Sequence, residues 1–177
     1  MVSARKAMLW VNIVGGVAVL GSYALGLAGG QASGAALWGG VSGALRSLYG
    51  VSMLLAALGY FAFTNFLLLR LKPEETTLAG KPRFAVFTAL YVGILAPSAL
   101  WMPLTLSMLN NPGATTWWVI RLVLALVALS SGGLLLALLA LQRKRGAAYW
   151  LAVVGAVIFF LHTAILDAVL WPAFFPR

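Results

Sequence analysis

The chain has 177 residues, 63% of them hydrophobic and 8% charged, with a net charge of +9 from 12 basic and 3 acidic side chains. An ordinary soluble domain is about 45–50% apolar and about 25% charged, and one of this size cannot hide so much apolar surface behind so few charges. A water-soluble globule and a disordered chain are both excluded, which leaves an integral membrane protein.

Five stretches are long enough for a hydrocarbon layer about 30 Å thick, which takes about 20 helical residues. The chain therefore reads as all-α, a polytopic integral membrane bundle of five transmembrane helices in one domain over residues 1–177. The first segment, about 8–28, follows Arg5 and Lys6 and runs into Ala28-Gly29-Gly30-Gln31-Ala32. That order has a signal-peptide look, but an apolar run of about 20 residues exceeds the usual 7–15, so the segment is read as the first membrane helix. Gly15, Gly16 and Gly21 are placed to admit a neighbouring helix, and Gly26 with Gly30 has GxxxG spacing. The connection from Gly29 to Gly43 is apolar and rich in small residues. It is expected to lie in the interface or fold over the helix ends, with Trp38 as an anchor.

The second segment, about 45–69, begins near Arg46. Its Asn65, like Asn12 in the first, is expected to bridge helices. The polar run Lys72-Pro73-Glu74-Glu75-Thr76-Thr77 follows, with flexibility expected from Thr76 to Lys81. The third segment, about 84–109, contains Pro97 and Pro103. Each removes a donor and clashes with the carbonyl four residues earlier, at Gly93 and Ala99. Two readings stand: a break with kinks that open a cavity beside Ser98, Trp101 and Thr105, or a membrane helix that tolerates its prolines with no more than a bend. Asn110-Asn111-Pro112-Gly113 is a turn signature. The fourth segment, about 117–141, has Arg121 one turn in, and the fifth, about 147–171, carries His162 and Asp167. Arg46 and Arg121 at matching places suggest two parallel hairpins plus a fifth helix. Alternating apolar–polar strands are absent, so a spanning β-barrel is not supported.

With five crossings, nine basic and two acidic residues fall on one side (Arg5, Lys6, Arg70, Lys72, Glu74, Glu75, Lys81, Arg83, Arg143, Lys144, Arg145), a net +7. Arg46, Arg121, Arg177 and Asp167 on the other side make +2. The positive-inside rule then places the N-terminus inside and the C-terminus outside, in a plasma (inner) membrane. The basic excess is mostly an orientation signal, and no nucleic-acid partner is expected. Trp10 and Trp150 near inner ends, with Trp38, Trp117, Trp118 and Trp171 near outer ends, match an interfacial aromatic belt.

No cysteine is present, which removes disulfides, thiolate metal sites and cysteine nucleophiles. One histidine and three acids make an all-protein zinc or di-iron site implausible, no cofactor is evident, and no catalytic residue is assigned. The polar residues of the outer half are the candidates. For Arg46, Arg121 and Asp167 three readings stand: interfacial anchors, an Asp–Arg pair, or a site where the spare positive charge receives an anion or lipid headgroup. His162 lies about 22 Å along its helix. It reads as a packed neutral imidazole, an axial ligand to a haem or chlorophyll metal, or a proton-relay or ligand group. Asp167, five residues on, stands about 140° round an α-helix from it, so the two are not expected to share a face, whereas Thr163 and Asp167 are.

Trp101-Met102-Pro103, in the third of five segments, is similar to the W-x-P motif of the translocator-protein (tryptophan-rich sensory) family, and Leu48-Tyr49 resembles part of that family's second helix. The family has aromatic residues after the proline, where this chain has Leu104, Thr105 and Leu106, and a shorter connection between helices 2 and 3. The match covers a few residues, and no family is assigned on it.

Two functions are carried forward. One is binding of a small apolar or anionic ligand, or a lipid, in the outer half of the bundle by Arg46, Tyr49, Trp101, Arg121, His162 and Asp167. The other is an accessory structural subunit of a larger membrane complex, with a membrane protein or a second copy as partner. Membrane lipids surround either.

Overall fold

A computed structural model describes residues 4–28, 34–73, 76–78, 81–82, 84–142 and 146–175. Helix α1 is Ala4–Ala28, and a short α2, Gly34–Trp38, lies in the following connection. Helix α3, Gly43–Asn65, runs on through a π-helical turn, Phe66–Arg70. Strands β1, Thr77–Leu78, and β2, Lys81–Pro82, form a small antiparallel pair. Helices α4, Phe84–Asn110, and α5, Ala114–Leu139, come next. Helix α6, Ala147–Leu161, continues as a π-helix over His162–Leu170 and ends in the turn α7, Trp171–Phe174.

Five of these stretches, 25 to 28 residues each, are long and apolar enough to cross a membrane. At 1.5 Å per residue they are about 38–42 Å long, enough to pass the hydrocarbon and enter both headgroup layers. Observed ends lie within four residues of those expected. The largest shift is at α1, which extends back to take in Arg5 and Lys6, long side chains that suit the headgroup layer. At the described positions between Thr76 and Pro82 the backbone is paired, with Thr77 facing Pro82 and Leu78 facing Lys81. The Thr76 hydroxyl also donates to the Lys72 carbonyl at 2.6 Å. Glu74, Glu75, Arg83, Arg143, Lys144, Arg145, Arg177 and the Gly29-Gly30 pair lie outside the described residues.

The spans form a ring. Helix α1 packs on α4, α4 on α5, α5 on the last span, and the last span on α3. Helix α3 returns to α1 mainly near its own end: the Tyr60 hydroxyl donates to Asn12 Oδ1 at 2.7 Å, and Arg5 donates to the Leu71 carbonyl at 2.9 Å. The first two spans are therefore not a packed hairpin equivalent to α4–α5, and the two-hairpin plan is not what the chain adopts. The reason lies in small residues. Between lipid-exposed helices, association depends on close van der Waals contact, and α1 presents Gly15 to Leu95 and Gly26 to Met102 of α4. Gly16 and Gly21, also expected to admit a neighbour, face open space. Asn12 bridges as expected, whereas Asn65 is exposed.

Helix α4 is one uninterrupted helix with Pro97 and Pro103 inside it, so the break does not occur. Packing against α1 on one side and α5 on the other holds it, as neighbouring helices do for prolines within a membrane. Buried side chains form two groups. Phe63, Phe87, Tyr91 and Tyr149 centre the half nearer the N-terminus; Val41, Tyr49, Trp117, Ile120, Leu166 and Trp171 centre the half nearer the C-terminus. Trp10, Trp118 and Trp150 are exposed, as an aromatic belt requires. Trp117 and Trp171 instead turn inward and stack at 6.4 Å between ring centroids.

Candidate functional site

At the end of the bundle nearer the chain's C-terminus, all five spans contribute to a cavity of about 300 Å³, α1, α4 and the last span with their C-terminal halves and α3 and α5 with their N-terminal halves. Its roof is the connection between α1 and α3. Gly39 and Gly43 take φ of 56° and 53°, a left-handed backbone that glycine adopts without a Cβ clash, and the chain folds back over the helix ends. Two bonds tie this roof to the other end of the chain: Gly40 N–H donates to the Phe174 carbonyl at 2.7 Å, and Trp171 Nε1 donates to the Leu37 carbonyl at 2.9 Å. The expectation that this segment folds over the helix ends holds for its described residues. Trp38, expected as an interfacial anchor, instead lines the cavity.

The walls are aromatic. Tyr23 of α1 stacks on Trp101 of α4 at 5.6 Å, and Trp101 meets Trp171 edge-on at 5.5 Å. On the other side Trp38 meets Tyr49 edge-on at 5.5 Å, and Tyr49 meets His162 at 6.1 Å. Met53, Met102, Val123, Leu124 and Val127 supply the aliphatic surface. Ser98 reaches the cavity too, with its hydroxyl already donated to the Ile94 carbonyl at 2.7 Å. Trp101 Nε1 and Thr105 Oγ1 are buried without a hydrogen-bond partner among the described residues.

The polar corner comes from the π-helix. His162 and Asp167 both line the cavity, and Nε2 of the imidazole stands 3.5 Å from Oδ2 of the carboxylate. This overturns the expectation that the two point apart. An α-helix would separate residues five apart, but a π-helix bonds i to i+5 and brings them onto one face. The register is held from outside: the Leu166 carbonyl accepts the Trp171 N–H, five residues on, and also the Tyr49 hydroxyl. Pro172 follows directly, with no N–H to continue an α-helical ladder. Thr163, expected on the Asp167 face, turns to α5, where it shares a hydrogen bond of 2.8 Å with Ser131. On its other nitrogen, Nδ1, His162 meets Ser52 Oγ at 2.9 Å. Ser52, His162 and Asp167 thus stand in a row, one hydrogen bond and one 3.5 Å contact, that links α3 to the last span. These are the residue types of a hydrolytic triad. Ser52 stands well inside α3, however, where backbone N–H groups are committed to the helix and leave no paired donors for an oxyanion.

The two arginines are elsewhere. Arg46 is exposed, lies 5.5 Å over the Trp38 ring and donates to the Val41 carbonyl at 3.1 Å. Arg121 lies 5.6 Å over Trp118 and borders a separate recess of about 410 Å³ beside the Pro112-Gly113 turn. Among the described residues neither pairs with Asp167, so the Asp–Arg pair is not formed there. Of the six residues singled out by sequence, Tyr49, Trp101, His162 and Asp167 converge on the cavity, while Arg46 and Arg121 do not. Among the described residues no group of three or more His, Cys, Asp or Glu side chains could hold a metal ion. Compared with known proteins, the chain matches no family model, no curated protein and no solved structure.

Proposed function

We propose that this is a multi-pass membrane protein that binds a small, mainly apolar ligand in the cavity in the half of the bundle nearer the C-terminus. That half faces the outside, because the basic connections gather at the opposite end. The observation that carries this reading is a cavity of about 300 Å³ walled by Tyr23, Trp38, Tyr49, Trp101 and Trp171, with one polar corner at His162 and Asp167. Concave, aromatic surface with few polar groups is the usual make-up of a small-molecule site. An ionisable residue within a spanning segment is by default functional, because it is costly there. The anionic alternative finds no support, since both outer-side arginines lie outside the cavity. The accessory-subunit reading rests on an apolar perimeter that lipid satisfies equally.

The test is saturable binding of a neutral probe, 2-naphthylethanol, to the protein in phosphatidylcholine nanodiscs, followed by tryptophan fluorescence. Leu27→Trp fills the cavity from α1, where Leu27 is 56% exposed and a larger side chain can be carried without disturbing the core. Saturable binding weakened at least tenfold by that variant supports the site. Linear partitioning, equal in both proteins, refutes it.

A further inference from the structure

The cavity combines two features that recognise the same chemistry. Aromatic rings from four elements surround it: Tyr23 on α1, Trp38 on α2, Tyr49 on α3 and Trp101 on α4. Ring faces attract a cation through their quadrupole, and a set of rings around one space is the arrangement that receives quaternary ammonium groups. Asp167 opens into the same space with its Oδ2 3.5 Å from the His162 imidazole, and among the described residues no guanidinium or ammonium pairs with it. It is one of three acidic residues in the chain, against 12 basic ones, and the other two lie in the connection between the second and third spans. Of the described cations on this side of the bundle, Arg46 and Arg121 lie over Trp38 and Trp118. A carboxyl group in an apolar cavity is costly to ionise, and a cationic ligand offsets that cost on binding.

We infer that the ligand class of this site is an amine or quaternary ammonium attached to an apolar body, with the cation held among the rings beside Asp167. This rests on the binding site proposed above and specifies its ligand. The apolar body faces Met53, Met102 and the valines and leucine of α5, and the charged end turns toward the π-helix. Arg46 already demonstrates a cation over Trp38 in this fold.

The experiment uses three probes with one 2-naphthylethyl body, ending in hydroxyl, trimethylammonium or sulfonate, bound to the full chain in uncharged phosphatidylcholine nanodiscs. The expected order is ammonium at least tenfold tighter than hydroxyl, with sulfonate weakest. Asp167→Asn, isosteric but uncharged, brings the ammonium and hydroxyl affinities to within about threefold of each other. Arg121→Gln, at the separate recess, keeps the full preference. Trp38→Leu weakens the ammonium probe more than the hydroxyl probe. Equal affinity of hydroxyl and ammonium in the unaltered protein, unmoved by Asp167→Asn, overturns the cation assignment and leaves the apolar site standing. A preference for sulfonate overturns it as well. Absence of saturable binding by all three removes the site itself, and the assignment with it.

Discussion

Tyr49 does more than line a cavity. Its hydroxyl donates to the Leu166 carbonyl, inside the π-helix that brings His162 and Asp167 together. Replacing it with Phe removes a donor from a buried carbonyl while keeping the ring. A buried hydrogen bond contributes about 1 kcal/mol net, so Tyr49→Phe is expected to lower stability by about that much, read as a lower thermal midpoint in detergent. Thr105→Val is the opposite case. The Thr105 hydroxyl is buried with no partner among the described residues, and replacing an unsatisfied polar group by an apolar one of the same shape is neutral or stabilising. Its thermal midpoint should stay level or rise; a fall would mean that the hydroxyl has an unrecognised bond. His162 and Asp167 stood out because ionisable groups are rare in such apolar segments, and Trp101 because it lies between Pro97 and Pro103. Tyr23 and Ser52 carried no such signal. Each is one of several small or aromatic residues on a helix that is apolar all round, and periodicity then does not say which face turns inward.

The π-helix is the element that sequence reasoning could not reach. An α-helical phase put Asp167 well round the helix from His162, and nothing in the run His162–Leu170 announces a wider turn except the proline two residues beyond it. The register depends on a hydroxyl 117 residues away in sequence. Close helix pairing was also hidden. Gly59 of α3 and Gly155 of α6 meet so closely that a Cβ on either would press into the other's backbone, yet the obvious glycines lay in α1. Backbone has no side-chain rotamer with which to yield, and overpacking of this kind costs about 1–3 kcal/mol. Gly59→Leu is therefore expected to lower stability by at least that range in a denaturant titration, since it forces α3 and α6 apart. Gly16→Leu, on a face with nothing within 4 Å, should leave the midpoint within about 0.5 kcal/mol of the parent. If both variants behaved alike, the α3–α6 contact would not be the tight one described.

The number and extent of the five spans followed from hydropathy and length, because lipid admits little besides helices whose backbone is satisfied internally. Their ring order did not, since apolar surface serves equally against lipid and against another helix. It is decided by where glycines allow approach, at Gly15, Gly26, Gly59 and Gly155. Orientation is a separate matter, governed by charge rather than packing. Three stretches at one end carry nine basic residues against two acidic ones, whereas the end bearing the cavity carries a net +2. Basic residues in short connections resist transfer across the membrane, so the end with Arg5, Lys72 and the Arg143-Lys144-Arg145 run should remain in the cytoplasm. The chain contains no cysteine, and single thiols can be introduced without background. Lys72→Cys, exposed just after α3, and Asn111→Cys, exposed in the turn between α4 and α5, sit at opposite ends. A membrane-impermeant maleimide applied to intact cells should label the Asn111→Cys protein and spare Lys72→Cys until the membrane is permeabilised. The reverse pattern would turn the cavity to the cytoplasm and change the pool of ligands that can reach it. Equal labelling of both would mean that a net charge difference of this size does not select one orientation here.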